Sequence, residues 1–250
     1  MTTADSIRME SLSYSIGGRR ILEDFDFSLE RGVNRTILGV SGSGKTTILK
    51  LLLGLLQPEA GRVRIGDVCI TGRPESEFME IRKRIAIVFQ GGALFDSLTV
   101  GENVGYRLFE EGRLSQAEIE DVVREKLSFV GVEAALDLYP AELSGGMKKR
   151  VAIARALAAD PDYIFFDEPT TGLDPIGVYN ICNLIQRLQA EGTTTLMVTH
   201  DLATAFMTSQ RFTFLHESRM IFEGTEEEMR GSPIPEVQQF LQPSDESLFV

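Results

Sequence analysis

The chain contains few of the residues that build metal centres or disulfide frameworks. Among its 250 residues there are only two cysteines and two histidines. Cys69 and Cys182 have no metal-ligand spacing, which argues against a metal site built on them. Isolated cysteines of this kind are typical of a reducing compartment. We therefore expect both to be buried, reduced thiols.

Positive charge and long apolar runs are also scarce. The chain has 25 lysine and arginine residues against 37 aspartate and glutamate residues, giving a net charge of −12 at pH 7. This balance argues against general nucleic-acid binding, which draws most of its affinity from Lys and Arg on phosphates. The longest apolar run, 48–56, is interrupted by Lys50 and is far too short to span a bilayer. No charged segment followed by an apolar one opens the chain, so nothing indicates secretion.

One stretch matches the phosphate-binding loop pattern G-x-x-x-x-G-K-[ST]. It consists of Gly39, Val40, Ser41, Gly42, Ser43, Gly44, Lys45 and Thr46, and Thr47 follows it. The glycines allow a tight turn whose N–H groups point at phosphate oxygens. Lys45 supplies a positive charge to the β- and γ-phosphates, and the Thr46 hydroxyl can bind Mg²⁺. The alternative is a glycine-rich turn that binds nothing, but residues 35–38 predict a strand and residues from 47 a helix. That order predicts a nucleoside triphosphate site.

An acidic pair follows an apolar run later in the chain. Residues 163–166 are apolar, as in a parallel strand buried on both faces, and Asp167 and Glu168 come directly after them. Ligands of open α/β sheets bind at the carboxyl ends of the strands. We therefore expect Asp167 to hold Mg²⁺, as a Walker B carboxylate, and Glu168 to act as a general base on water. The alternative is that both merely cap the helix that begins near Pro175.

A third motif indicates the class of protein. Residues 143–147 read L-S-G-G-M, and a helix is predicted over 151–159. Ser144, Gly145, Gly146 and Met147 resemble the LSGGQ signature of the nucleotide-binding domains of ABC ATPases, with Met147 in place of the common glutamine. A serine and glycines at a helix start also form an anion-binding end. The resemblance implies that this signature faces ATP held by the opposite subunit; a plain N-capped helix is the alternative.

The resemblance to ABC ATPases assigns roles to four more residues. Gln90 matches the Q-loop glutamine, which contacts Mg²⁺ or the attacking water, and Asp174 lies in the matching D-loop at the dimer interface. His200 matches the switch histidine that contacts the γ-phosphate. Tyr14 occupies the position that stacks on adenine. Taken alone, a histidine at a strand end is more often structural, and an aromatic in an early strand is usually core.

The fold expected from the resemblance is the ABC-ATPase fold of the α/β class. It has a RecA-like parallel-sheet core, an N-terminal antiparallel β part and an inserted helical lobe. A hydrophobic content of 43% is enough for a full core. We expect one ATPase domain over 1–231, with the helical lobe at about 91–160, followed by a tail over 232–250. The expected ligands are ATP and Mg²⁺, bound in a head-to-tail homodimer.

The cargo is predicted from finer resemblance. The run Gly-Ala-Leu-Phe at 92–95, Met147 and the ending at 235–241 resemble the ATPases of MCE-linked (Mla-type) phospholipid transporters. That resemblance implies a permease partner, an MCE-type lipid-binding protein as a further partner, and a peripheral location on the cytoplasmic face of the inner membrane. The alternatives are an importer of another substrate, such as amino acids, and a non-transport ABC ATPase. Phe95 is predicted to anchor the permease, or otherwise to belong to the core of the helical lobe.

Overall fold

The computed structural model describes residues 6–74, 77–78 and 82–242. Its strands are β1 (Ser6–Ile16), β2 (Arg19–Glu30), β3 (Arg35–Leu38), β4 (Ala60–Ile65), β5 (Val68–Cys69), β6 (Ile85–Val88), β7 (Tyr163–Asp167), β8 (Thr194–Thr199), β9 (Arg211–His216) and β10 (Arg219–Gly224). Its α-helices are α1 (Lys45–Leu52), α2 (Val100–Glu111), α3 (Gln116–Phe129), α4 (Gly145–Leu157), α5 (Pro175–Ala190), α6 (Leu202–Thr208), α7 (Glu226–Arg230) and α8 (Pro235–Leu241). Within the described ranges, no helix combines the length and the apolar character needed to cross a membrane.

The described residues form two compact units. The first lies within 1–81 and 194–250, and the second within 82–193. The second unit is larger than the helical lobe predicted at about 91–160, because strands β6 and β7 and helix α5 belong to it as well. The sequence also predicts a short helix over 74–84, and part of that segment, 75–76 and 79–81, lies outside the described ranges.

The N-terminal part of the first unit is the predicted antiparallel sheet. Strands β1 and β2 form a hairpin across Gly17 and Gly18, which both have positive φ. The sheet continues from β1 to β4 and then to β5. Its buried face includes Leu12 and Phe25, both fully buried. Cys69 is only partly buried, contrary to expectation, because β5 is a two-residue strand at the sheet edge; Cys182 is buried as expected.

The remaining strands of the first unit position the phosphate loop. β3 lies between β8 and β9 and is parallel to both, while β10 is antiparallel to β9. Leu38, the last residue of β3, pairs with Thr199, the last residue of β8. Because these parallel strands end together, the segments that follow them, 39–46 and His200, leave the same edge of the sheet.

The C-terminal helix α8 packs on this unit. Val237 is fully buried, in a cluster that includes Phe214 and Met229. The ring centroids of Phe240 and Phe214 are 4.9 Å apart. The first part of the segment predicted as a tail therefore contributes to the core of the first unit, and residues 243–250 lie outside the described ranges.

In the second unit, two parallel strands bring two motifs to one edge. Val88 pairs with Phe166, so β6 and β7 end side by side. Gln90 follows the first of these strands; Asp167 ends the second, and Glu168 comes directly after it. Helices α2, α3 and α4 pack against one another beyond this point.

A buried asparagine holds the segment between β6 and α2. The Asn103 side chain has no exposed surface. Its Oδ1 accepts from the Phe95 backbone N–H at 2.8 Å, and its Nδ2 donates to the carbonyl oxygens of Phe95, Leu98 and Thr99 at 2.9–3.0 Å. One side chain thus fixes the backbone on both sides of the turn that carries Phe95.

We expect Asn103→Ala to destabilise the protein by about 2–4 kcal/mol, because four backbone hydrogen bonds are lost in a buried site. The measurement is the shift of the chemical unfolding midpoint. Asn180→Ala, at an exposed position of α5, is the control and should leave the midpoint almost unchanged. A midpoint of Asn103→Ala equal to that of the wild type would contradict the proposed anchoring role.

Candidate active site

The loop at 39–46 has a backbone that requires glycine. Gly42 and Gly44 have φ angles of 77° and 105°, in the region that favours glycine. A Cβ at Gly44 would lie 2.8 Å from Ile21 Cγ2, and one at Gly39 would lie 2.6 Å from the Leu215 carbonyl oxygen. Glycine is therefore needed in this loop for two reasons: it avoids clashes with neighbouring atoms, and it allows the turn. Helix α1 begins at Lys45, so its positive end lies directly beneath the loop.

The Lys45 side chain is held inside this loop. Only 6% of the residue is exposed, and its Nζ donates to the carbonyl oxygens of Gly39 at 2.8 Å and Val40 at 3.0 Å. Ser43 Oγ is buried and has no hydrogen-bond partner among the described residues. A phosphate oxygen would satisfy such a hydroxyl and would attract the ammonium group. The loop thus has the donors and the charge that fit a triphosphate.

The other two predicted residues of the first unit remain accessible. His200 is exposed and directly follows β8, and the next residue, Asp201, caps α6 by accepting from the N–H groups of Ala203 and Thr204. Tyr14 is half-buried, whereas its strand neighbour Leu12 is fully buried. A half-buried tyrosine has accessible ring surface on which adenine can stack. A tyrosine that served only the core would not need that surface.

The acidic pair occupies the end of β7. Asp167 is 6% exposed and Glu168 is half-buried. Glu168 has a φ of 49°, an uncommon value for a residue with a side chain and one that clusters at functional sites. Helix α5 is capped by Asp174, whose Oδ1 accepts from the Gly177 N–H at 2.6 Å. The alternative that the acidic pair caps this helix is therefore wrong.

The signature lies at the start of α4. This helix begins at Gly145, six residues before the predicted start, so the two glycines and Met147 form its first turn. Ser144 is exposed, and its Oγ accepts from the Met147 N–H at 3.3 Å. The first turn contains no acidic residue, and a Cβ at Gly146 would meet nothing within 4 Å. This helix end is open and positive, as an anion site requires.

The predicted Mg²⁺ ligands have suitable chemistry. Thr46, Gln90 and Asp167 offer a hydroxyl, an amide and a carboxylate oxygen, which are the hard oxygen donors that Mg²⁺ prefers. Thr46 stands in the first turn of α1, Gln90 is exposed beyond β6, and Asp167 ends β7. The donor set therefore fits this ion.

Sequence reasoning missed two cations of α4. Lys149 is 6% exposed and contacts the backbone of Gln90 and Glu168. Arg155 donates to the carbonyl oxygens of Gly92 at 2.8 Å and Ala93 at 2.7 Å. A signal for Lys149 was available, because Ala152, Ile153 and Ala156 follow it at helical spacing on the buried face. A lysine on an apolar face of a helix calls for a buried partner.

Comparison with known proteins settles the family. A family model described as "ABC transporter" matches residues 22–171, more than half of the chain. The chain belongs to this family. It is an ABC ATPase, which hydrolyses ATP. The predicted fold class is confirmed by the N-terminal antiparallel sheet, by the mixed, mostly parallel core strands and by solved structures of the same fold.

Three individual proteins are similar to this ABC ATPase over most of its length. The intermembrane phospholipid transport system ATP-binding protein MlaF of Haemophilus influenzae is 39% identical, covering 94% of this chain and 89% of the relative. The probable ribonucleotide transport ATP-binding protein mkl of Mycobacterium tuberculosis is 38% identical, covering 94% of this chain and 66% of the relative. A dimeric post-hydrolysis structure of the ATP-binding cassette MJ0796, bound to ADP and Pi, has a TM-score of 0.81 and 32% identity. It covers 88% of this chain and 98% of the other.

Proposed function

We propose that this ABC ATPase powers phospholipid transport through a partner permease. The observation that carries the proposal is the 39% identity to a phospholipid-transport ATPase over 94% of the chain. Met147 and the run at 92–95 support the same subfamily. The second candidate is ribonucleotide transport, favoured by the name of the mycobacterial relative. In either case the chain acts peripherally at the cytoplasmic face of the inner membrane.

The nucleotide is held chiefly by the first unit. The N–H groups of the phosphate loop, with the Lys45 ammonium group, bind the β- and γ-phosphates. The Tyr14 ring stacks on adenine, and His200 contacts the γ-phosphate. Thr46, with Gln90 and Asp167, would hold Mg²⁺, which neutralises charge on the phosphates when it is bound.

Hydrolysis depends on residues of the second unit. Glu168 accepts a proton from the attacking water, and Gln90 orients that water. The signature beginning at Ser144 lies against the γ-phosphate bound by a second copy of the chain. Asp174 lies at the interface between the copies. Two copies arranged head to tail therefore make two equivalent sites.

The permease contact centres on Phe95. The residue is 44% exposed, so it does not belong to the core of the helical lobe. Its ring lies 4.8 Å from the ring of Tyr106, and the Arg155 guanidinium lies 6.0 Å from its centroid. Arg155 and Asn103 fix the backbone on either side of it. A rigid, exposed aromatic of this kind suits an anchor for an apolar helix of the permease.

We expect Phe95→Ala to reduce co-purification with the permease and to abolish transport. The isolated ATPase should keep its melting temperature and its ATP affinity, because the lost ring is already partly exposed. Ile176→Ala, at an exposed position of α5, is the matched control for loss of apolar surface. If Phe95→Ala instead unfolds the isolated chain, the docking role is wrong.

The cargo is tested by reconstitution. The ATPase is purified from detergent together with its co-purifying membrane subunits, and the complex is placed in vesicles. We expect ATP-dependent movement of a fluorescent phospholipid and no movement of ribonucleotides or amino acids. Movement of ribonucleotides alone would favour the second candidate. Co-purification with ribosomes or DNA, and with no membrane subunit, would reject a transport role.

A further inference from the structure

A lysine is buried in the helix that carries the signature. Lys149 lies on α4 with 6% of its surface exposed, on the face that also presents Ala152 and Ile153 to the core. Burying an ammonium group is costly unless it is hydrogen-bonded and compensated by negative charge. Its partners therefore indicate what the position does.

The partners of Lys149 are the backbones of two proposed active-site residues. Its Nζ donates to the carbonyl oxygen of Gln90 and, at 3.3 Å, to that of Glu168. Both oxygens are acceptors only, so each contact needs a hydrogen-bond donor on the side chain. One side chain thus joins α4 to the segments that follow β6 and β7.

The surrounding charge suits a cation. Burial lowers the pKa of Lys149, and the carboxylates of Asp167 and Glu168 oppose that effect. A second cation of the same helix extends the attachment, since Arg155 donates to the carbonyl oxygens of Gly92 and Ala93. Helix α4 is therefore tied to the chain just after β6 at two points.

We propose that Lys149 is a positioning residue for ATP hydrolysis, which holds the backbones of Gln90 and Glu168 to the signature helix. The proposal rests on the proposed roles of those two residues. Glu168 has its backbone in the left-handed region, which costs free energy and persists only where surrounding contacts enforce it. Lys149 supplies one such contact. Without it, the Glu168 carboxylate loses its fixed orientation toward water while the phosphate loop is unaffected.

The first test compares Lys149→Met, Lys149→Arg and the control Lys126→Met, which removes a lysine charge from α3. We expect Lys149→Met to lower kcat about ten- to a hundredfold, because small misplacements of catalytic groups have effects of that size. KM and the dissociation constant for ATP should stay within about twofold, since ATP binding uses the other unit. Lys149→Arg should recover most of kcat, and Lys126→Met should match the wild type. Unchanged kcat in folded Lys149→Met would overturn the proposal, as would equal losses of kcat and ATP affinity.

The second test asks whether Lys149 acts through Glu168. We compare single-turnover hydrolysis of radiolabelled ATP by Glu168→Gln and by the double variant with Lys149→Met. The double variant should be no slower than Glu168→Gln, because residues that act as a unit are not additive. A full multiplicative loss would overturn the proposal. If Glu168→Gln turns over ATP normally, the role assigned to Glu168 is wrong. That result is distinct from an unchanged kcat in the single variant Lys149→Met, which would overturn the role of Lys149.

A variant that folds poorly does not prevent the test. In Lys149→Gln, a neutral amide N–H donor replaces the ammonium group. If Lys149→Met does not fold, Lys149→Gln is measured in its place, after its melting temperature is shown to match that of the wild type. Lowered kcat with unchanged ATP affinity, recovered by Lys149→Arg, supports the positioning role. Wild-type kcat in Lys149→Gln overturns the need for a cation at this position.

Discussion

We expect Glu168→Gln to stop ATP turnover while ATP binding is retained. The amide keeps the size and much of the hydrogen bonding of the carboxylate, but it cannot accept a proton from water. Loss of a general base lowers rates by about 10²-fold or more. The residue is half-buried at the end of β7, and the Thr171 hydroxyl lies 3.4 Å from its Oε2, so the shape of the site should persist.

Phosphate release gives kcat, and a fluorescent nucleotide gives the ATP affinity. Glu133→Gln, at an exposed position of the same unit, is the matched control and should behave as the wild type. Near-normal turnover by Glu168→Gln would contradict the assignment of the general base. Loss of ATP binding in the same variant would instead indicate a structural role for the carboxylate.

The second large effect concerns sites shared between two copies of the chain. We expect Lys45→Ala and Ser144→Arg each to lose hydrolysis when measured alone. The first removes the ammonium group from both phosphate loops, and the second places a bulky side chain at both signature helix ends. In a mixed dimer, one site carries both changes and the other carries neither. An equimolar mixture should therefore regain roughly a quarter of the wild-type number of intact sites, if the copies assort at random.

The measurement is the amount of ATP trapped per chain in each mixture. Subunit exchange is followed separately by energy transfer between chains that carry a donor dye and chains that carry an acceptor dye, because a mixture of Lys45→Ala with wild-type chains has half of its sites intact with or without exchange. Failure of the two variants to restore any intact site, when exchange is demonstrated, would contradict sites shared between copies.

Residues with local signals were predictable from the sequence. The phosphate loop needs glycines and a lysine at fixed spacing, and the acidic pair follows an apolar strand, so short windows reveal both. The register of β6 and β7 then gives the reason why Gln90 and the acidic pair leave one edge. Helix α4 was predicted to start late because glycines are poor helix formers; the cap by Ser144 offsets that preference.

Contacts across long stretches of chain were not predictable. Lys149 lies 59 residues from Gln90, and no local pattern links the two. The same holds for α8, because prolines and polar residues around it favour a tail. Burial of Val237 and the contact between Phe240 and Phe214 depend on tertiary packing, which outweighs that local preference.

The most direct test of the central claim, that two chains close on ATP through composite sites, is an experimental structure of Glu168→Gln with ATP and Mg²⁺. We expect a two-fold dimer with two bound nucleotides. In each site, Lys45 of one chain and Ser144 of the other contact the γ-phosphate, and Thr46 and Asp167 lie around the ion. A structure in which each ATP contacts residues of one chain only, with the signature turned away from both nucleotides, would contradict it.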